Sequence, residues 1–432
     1  MQIRFVNATL LAMKKDVDIQ YNMQVWVEDD KISFVGTNEE ADLLRAVSAE
    51  EVPYVTKDCR GNLLMPGFKN AHTHSAMTFL RSKADDTALH DWLNNLVFPA
   101  EAKLLPEDIY ALTKLAILEY LQSGITGIFD MYMSPDAIAK ACEELGMRAT
   151  IVGGLNDFSQ SVAEIRTWVE KYNNSSSLVR FLPGFHAEYT TGEEILKELA
   201  SYVNENKLPV FAHISETSSE VEGCIGRHGM TPLAYLDSLH LFDYGGGGYH
   251  MIYATDEELE ICRKKGLYLI TNPSSNLKLA SGFAPVDKWL EKGLSVAIGT
   301  DGPASNNALD FFREMFLTAT LSKAQSLDPT VVSAGDVLRM ACTTGAHAMG
   351  VMQSDSIDVG KNADMIMLDL KKPNMQPIHN IVNNIVYAGN KINVCMTMIG
   401  GKILYENNEF YLSQSYADII KEANNACDRI FS

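Results

Sequence analysis

Residues 106–129, PEDIYALTKLAILEYLQSGITGIF, set the architecture. Leu, Ile and Ala recur at helical spacing from Pro106 to Ser123, and the apolar run Ile125–Phe129 that follows reads as a buried strand. Working outward, the runs Ala149–Val152, Val179–Pro183, Pro209–His213, Tyr268–Thr271 and Ser295–Gly299 have the same character, with amphipathic helical stretches between them. Such alternation predicts an α/β fold built on parallel strands, a (β/α)8 TIM-type barrel over residues 65–354. Short strands flank it: Ile3–Val6, Met23–Val27 and Lys31–Val35, with a turn at Glu28-Asp29-Asp30, and then Asp364–Leu368, Ile385–Ala388, Val394–Ile399 and Lys402–Tyr405. Neither flank can bury a core alone, so residues 1–64 and 355–413 are expected to pair as one small β-sandwich. Residues 414–432 are expected to form a C-terminal helix. The four-glycine run Gly245–Gly248 lacks the context of a phosphate loop and reads as a flexible turn.

Composition narrows the function. The chain has 432 residues, 46% hydrophobic and 21% charged, which is globular rather than disordered. Its net charge of −19 repels polyanions, so nucleic acid is an unsuitable partner. There is no apolar run long enough for a membrane span, and the start lacks the long apolar region and cleavage site of a signal peptide. Seven scattered cysteines without a C-x-x-C pair fit reduced thiols. The expectation is a cytoplasmic protein, and a homo-oligomer is compatible with it.

The chemistry starts at His72-Thr73-His74, two imidazoles at i and i+2 on one side of an extended segment. His213 ends a buried apolar run, where barrel active sites lie, and Asp301 follows another. A carboxylate directly after a buried strand needs a positive partner. Three imidazoles and one carboxylate suit Zn²⁺ or Fe²⁺, with one position left for water. Glu216 lies three residues beyond His213, and His250 and His186 also adjoin apolar runs. His90, His228, His240 and His379 read as solvated or capping, and His347 as helix packing.

These residues carry a resemblance. PGFKNAHTH, HISETSSEVEGC, NPSSNLKLASGFAP and GTDGPASNN resemble the corresponding blocks of the amidohydrolase superfamily, in its 5′-methylthioadenosine/S-adenosylhomocysteine deaminase group, over nearly the whole chain. The resemblance implies that His72, His74, His213 and Asp301 hold one divalent metal, zinc or alternatively iron. It implies that Glu216 shuttles protons, that His250 polarises the attacking water and that Asp301 takes a proton from it. It implies that Glu101 grips the ribose hydroxyls and that His186 contacts the nucleoside, with Glu216 and Asp301 also facing the substrate. The substrate would be a purine nucleoside, deaminated to its inosine analogue. The alternatives are another heterocycle (guanine, a pterin, cytosine or an s-triazine) and an inactive scaffold. Two departures stand out. Tyr253 replaces a second histidine, and Gly153-Gly154 stand where relatives that bind homocysteine carry arginine. No arginine lies between Arg148 and Arg166.

Overall fold

The structure, a computed structural model, describes residues 2–15, 17–47, 54–83, 85–87, 91–174 and 178–432. His90 lies outside them. Two parallel sheets make the centre. One joins strands Phe68–Thr73, Ile125–Met131, Arg148–Val152 and Val179–Leu182 in that order. The other joins Gly184–Ala187, Val210–Ile214, Gly246–His250, Tyr268–Thr271 and Ser295–Ile298. Only Pro183 separates the two sheets on one side. On the other, Asp301 N–H donates to His72 O at 3.0 Å, and Asn70 bonds both the Thr300 amide and its hydroxyl. Helices link successive strands, among them Pro106–Gln122, which buries Ile109, Leu112, Ala116 and Leu121 as its periodicity requires.

Phe129, Leu182, Phe211, Tyr249, Ile270 and Ala297, one from each of six parallel strands, meet in a buried cluster with Ala71 and Met349. This packed plug fixes the strand ends that carry the chemistry. The glycine run belongs to it. Gly246–Gly248 lie in a fully buried strand, not a flexible turn. A Cβ at Gly246 would sit 1.8 Å from Val210 O, and one at Gly247 would sit 2.3 Å from Tyr268 O. The glycines let neighbouring backbones approach, which the composition alone disguised as looseness.

The flanking segments pair as one nine-stranded sheet. Leu63–Pro66 sits between Gln2–Leu11 and Met365–Leu368, so both ends of the chain meet there. The hairpin turn at Asp29-Asp30 is present, with Glu28 opposite Lys31. Ile385–Ala388, expected as a strand, is instead part of helix Ile381–Tyr387, capped by Asn380 Oδ1 on the Asn383 amide at 3.0 Å. Its apolar spacing, Ile381, Ile385 and Val386 buried together, is helical. The final helix is Tyr416–Phe431. No helix of the described residues is long and apolar enough to cross a membrane.

Candidate metal and nucleoside site

All the candidate side chains but Glu101, which comes from the helix Phe98–Glu101, leave the C-terminal end of a parallel strand or the loop after it. His72 lies in Phe68–Thr73 and His74 just beyond, His213 in Val210–Ile214, His250 at the end of Gly246–His250, and Asp301 three residues past Ile298. Ser215, His250, Met251 and Asp301 all have left-handed φ, between 50° and 69°. Such backbone is uncommon for side-chain-bearing residues, and here it turns the chain inward at the cluster.

The imidazoles converge. His72 Nε2 and His213 Nε2 are 3.2 Å apart, and Asp301 Oδ1 lies 3.4 Å from His72 Nε2 and 3.2 Å from His74 Nε2. His213 Nδ1–H donates to His186 O at 2.8 Å, and His74 Nδ1–H donates to Met131 O. Those bonds fix the tautomer, so the Nε2 atoms of His74 and His213 present lone pairs to the centre. Lone pairs that close repel each other unless a cation lies between them. Burial drives His72 down to about 3 and His213 well below the usual range, so both rings are neutral ligands. Burial also works to lower His74, but the Asp301 carboxylate overcomes it and holds His74 above its ordinary value. The cluster therefore demands positive charge, and His72, His74, His213 and Asp301 fit a divalent metal. His250 lies beside His72 and His213 in a second grouping of ligand-type atoms.

Around the cluster the chain builds a supporting shell. Asp301 Oδ2 accepts from Ser275 Oγ at 2.6 Å and Ser305 Oγ at 2.9 Å, and Oδ1 accepts from the Gly302 amide at 2.8 Å. His250 Nδ1 is 2.7 Å from Asn276 Oδ1, and its Nε2 is 3.8 Å from Glu216 Oε2. Burial raises the Glu216 carboxyl, and His250 only partly offsets it. Glu216 Oε1 accepts from Ser281 Oγ at 3.3 Å, while Tyr253 OH donates to Ser281 O at 2.8 Å, so Tyr253 reaches Glu216 through Ser281.

A cavity of about 560 Å³ opens above these groups. His74, His213, Glu216, His250 and Asp301 form its floor, and Glu101, Tyr132, Trp92 and His186 form its walls. Tyr132 OH donates to Glu101 Oε1 at 2.6 Å, and burial pushes Glu101 up to about 7. His186, driven down to about 4 by burial, is held by Thr190 Oγ1 at 2.8 Å. Among the described residues lining the cavity there is no lysine or arginine. Arg148 pairs with Asp364 at the far end of its strand, and Arg166 lies over the Tyr202 ring at 4.9 Å. A Cβ at Gly153 would sit 2.9 Å from Gly184 O, so a side chain there is excluded by packing.

Seven of the eight candidate side chains expected from the sequence line one cavity, and His72 lies buried against them, its Nε2 3.2 Å from His213 Nε2. Several partners were missed. Glu220 accepts both the Ser215 and Glu216 amides, at 2.7 and 2.8 Å, and so shapes the turn that presents Glu216. Its signal was Thr217-Ser218-Ser219-Glu220, a capping-box pattern. Ser275, Asn276 and Ser305 lay inside quoted motifs without a role. Among the other histidines, His228 bonds Glu188 at 3.0 Å and stacks on Tyr235, His240 bonds Asp243, and His347 bonds Asp355 at 2.9 Å.

Comparisons with known proteins place the chain in a family. The description of the amidohydrolase family matches residues 63–404. The chain is 37% identical over 422 residues to a 5-methylthioadenosine/S-adenosylhomocysteine deaminase of Thermoanaerobacter pseudethanolicus, covering 95% of each protein. It is 35% identical over 434 residues to a 5′-deoxyadenosine deaminase of Methanosarcina acetivorans, covering 98% of this chain and 97% of the relative. Among solved structures it superposes with a TM-score of 0.92 on a zinc-bound adenosine deaminase from Xanthomonas campestris. That protein is 31% identical, and the match covers 99% of this chain and 98% of the other.

Proposed function

Because the chain belongs to the amidohydrolase family, we propose that it is a metal-dependent aminohydrolase converting adenosine or a 5′-substituted adenosine to the inosine analogue and ammonia. In this reading its parallel strands close as a (β/α)8 barrel over residues 65–354, with the nine-stranded sheet of the flanking segments beside it and the C-terminal helix bonded to its side through Lys103 and Lys114. The observation that carries the reading is a single cavity with a metal-type cluster and a buried carboxyl on its floor and a second carboxyl, Glu101, on its wall.

His72, His74, His213 and Asp301 would hold a divalent metal, which when bound would acidify a water toward neutrality. Asp301 would hold the proton given up by the attacking water. His250 stabilises charge developing on the attacking oxygen. Glu216, its carboxyl raised by burial, donates its proton to a purine ring nitrogen, takes the proton held by Asp301 and passes it to the departing amine, and is reprotonated from the added hydroxyl as the C=O bond forms and the C–N bond breaks. Glu101 accepts the ribose hydroxyls, and His186 contacts the nucleoside from the opposite wall. A heterocycle without a sugar, such as guanine or an s-triazine, leaves Glu101 with nothing to hold, so the ribosyl substrate is favoured. The complete ligand and proton-relay set gives an inactive scaffold no support.

The test is ammonia release from 5′-methylthioadenosine, 5′-deoxyadenosine, adenosine, S-adenosylhomocysteine, guanine and cytosine. Adenosine and the nucleosides with small 5′ groups should be best. S-adenosylhomocysteine should fall about tenfold to a hundredfold behind in kcat/KM, because its carboxylate finds no lining cation. If guanine or cytosine is the preferred substrate, the nucleoside reading fails. If S-adenosylhomocysteine is best, the argument from the missing cation fails.

A further inference from the structure

Glu101 ends the short helix Phe98–Glu101 at the cavity wall. A carboxylate offers about four acceptor positions, and among the described residues one hydrogen bond reaches this one, from Tyr132 OH to Oε1 at 2.6 Å. That length is in the range of a hydroxyl donating to an ionised carboxylate. Burial pushes Glu101 toward its neutral form, and the Tyr132 donor draws it back toward the carboxylate, which can accept from two hydroxyls at once.

Tyr132 is itself held firmly. It is buried, its carbonyl accepts from Gln160 Nε2 at 3.2 Å, and Gln160 Oε1 accepts from the Gly154 amide at 2.9 Å. The two residues before it, at the end of strand Ile125–Met131, serve the metal-type cluster. Met131 O accepts from His74 Nδ1–H, and Asp130 Oδ1 accepts from the Ser75 amide at 3.1 Å. Three consecutive residues thus hold the segment of a metal-type ligand on one side and Glu101 on the other. We propose that Tyr132 is a positioning residue: by holding Glu101 Oε1 it leaves Oε2 for the ribose hydroxyls and fixes the sugar grip relative to the metal-type cluster. This rests on the nucleoside reading of Glu101. Tyr132 acts through that carboxylate and needs no contact with the substrate, whereas a phenol that only filled space would yield to phenylalanine without consequence for the sugar.

Tyr132→Phe keeps the ring and removes the donor. KM for adenosine should rise about tenfold, with kcat within about twofold and metal content unchanged. 2′-Deoxyadenosine offers Glu101 one hydroxyl fewer and should lose less, so the preference for adenosine over it should narrow by about threefold. Combined with Glu101→Ala, Tyr132→Phe should add nothing to the loss, because its only route to the sugar is already gone. A fall in kcat with KM unchanged, an undiminished preference for adenosine, or an added loss in the double variant would each overturn the proposal. So would loss of metal or of fold in Tyr132→Phe, since the hydroxyl would then serve the architecture and not the sugar. The wild-type protein tests the nucleoside reading separately. If it deaminates no nucleoside, or does not prefer adenosine to 2′-deoxyadenosine, Glu101 does not hold the sugar, and the proposal falls with that reading before any variant is made.

Discussion

Replacing Glu216 with glutamine separates chemistry from architecture at one position. The amide is nearly isosteric and can keep the contact with Ser281 Oγ at 3.3 Å, while Glu220 still anchors the local backbone. What it cannot do is give and regain a proton. General acid–base assistance is worth about 10²–10⁴-fold, so kcat should fall by about 3–5 kcal/mol in barrier terms. Stability should move the other way. Burial raises the Glu216 carboxyl in the folded protein, so its ionisation disfavours folding. That contribution is fully favourable below the unfolded pKa and is lost as pH rises through the higher folded value. The neutral glutamine escapes this loss, so its thermal midpoint should equal or exceed that of wild type, most clearly at alkaline pH. The assay is ammonia release under saturating nucleoside, with elemental analysis and calorimetry on the same preparation. Turnover within about threefold of wild type would remove Glu216 from proton transfer. Lost metal or a lowered midpoint would mean that the residue is structural.

The metal cluster and Glu101 each carry further expected outcomes. Elemental analysis of protein purified without chelator should find one divalent transition metal per chain, and His213→Ala should reduce it below about a tenth of an equivalent. Chelation should also lower the thermal midpoint, since an ion at about a hundredfold its dissociation constant stabilises by roughly 2.7 kcal/mol. Glu101, raised by burial from 4.5 to about 7, should ionise through neutrality in the free enzyme, so kcat/KM for adenosine should gain an ascending limb there that disappears in Glu101→Gln. The same shift places its folding contribution at full strength below 4.5 and removes it as pH rises past about 7. The midpoint of Glu101→Gln relative to wild type should therefore increase between pH 5 and pH 8.5; a constant difference would contradict the burial of this carboxyl.

The parallel strands were legible because burial on both faces leaves continuous apolar runs, and their ends carried the ligand-type residues within a few positions. Tyr268–Thr271 and Val394–Ile399 were located to the residue. The failures have physical causes. At Ile385–Ala388 a short apolar cluster fits either period, and the capping Asn380 was the overlooked discriminator. At Gly246–Gly248, strand identity comes from backbones too close for a Cβ, a tertiary demand that no local propensity displays. The supporting hydroxyls of Ser275 and Ser305 were equally hidden. Small polar residues in a loop acquire meaning only when a carboxylate from another strand arrives beside them.

The pairing of Leu63–Pro66 with Met365–Leu368 has a consequence for synthesis. Only Gly67 lies between this edge and the strand bearing His72. Until some three hundred further residues have left the ribosome, Leu63–Pro66 has a neighbour on one side only, and its other edge is open in a stretch that ends up fully buried. An unpaired apolar edge recruits foreign strands. Emergence of Met365–Leu368 closes it, so the segment leading into the metal-type cluster acquires its final neighbour only near the end of translation. A ribosome stalled between these two strands would carry a chain with most of the site's side chains already made and a sticky border beside them, a natural client for a chaperone.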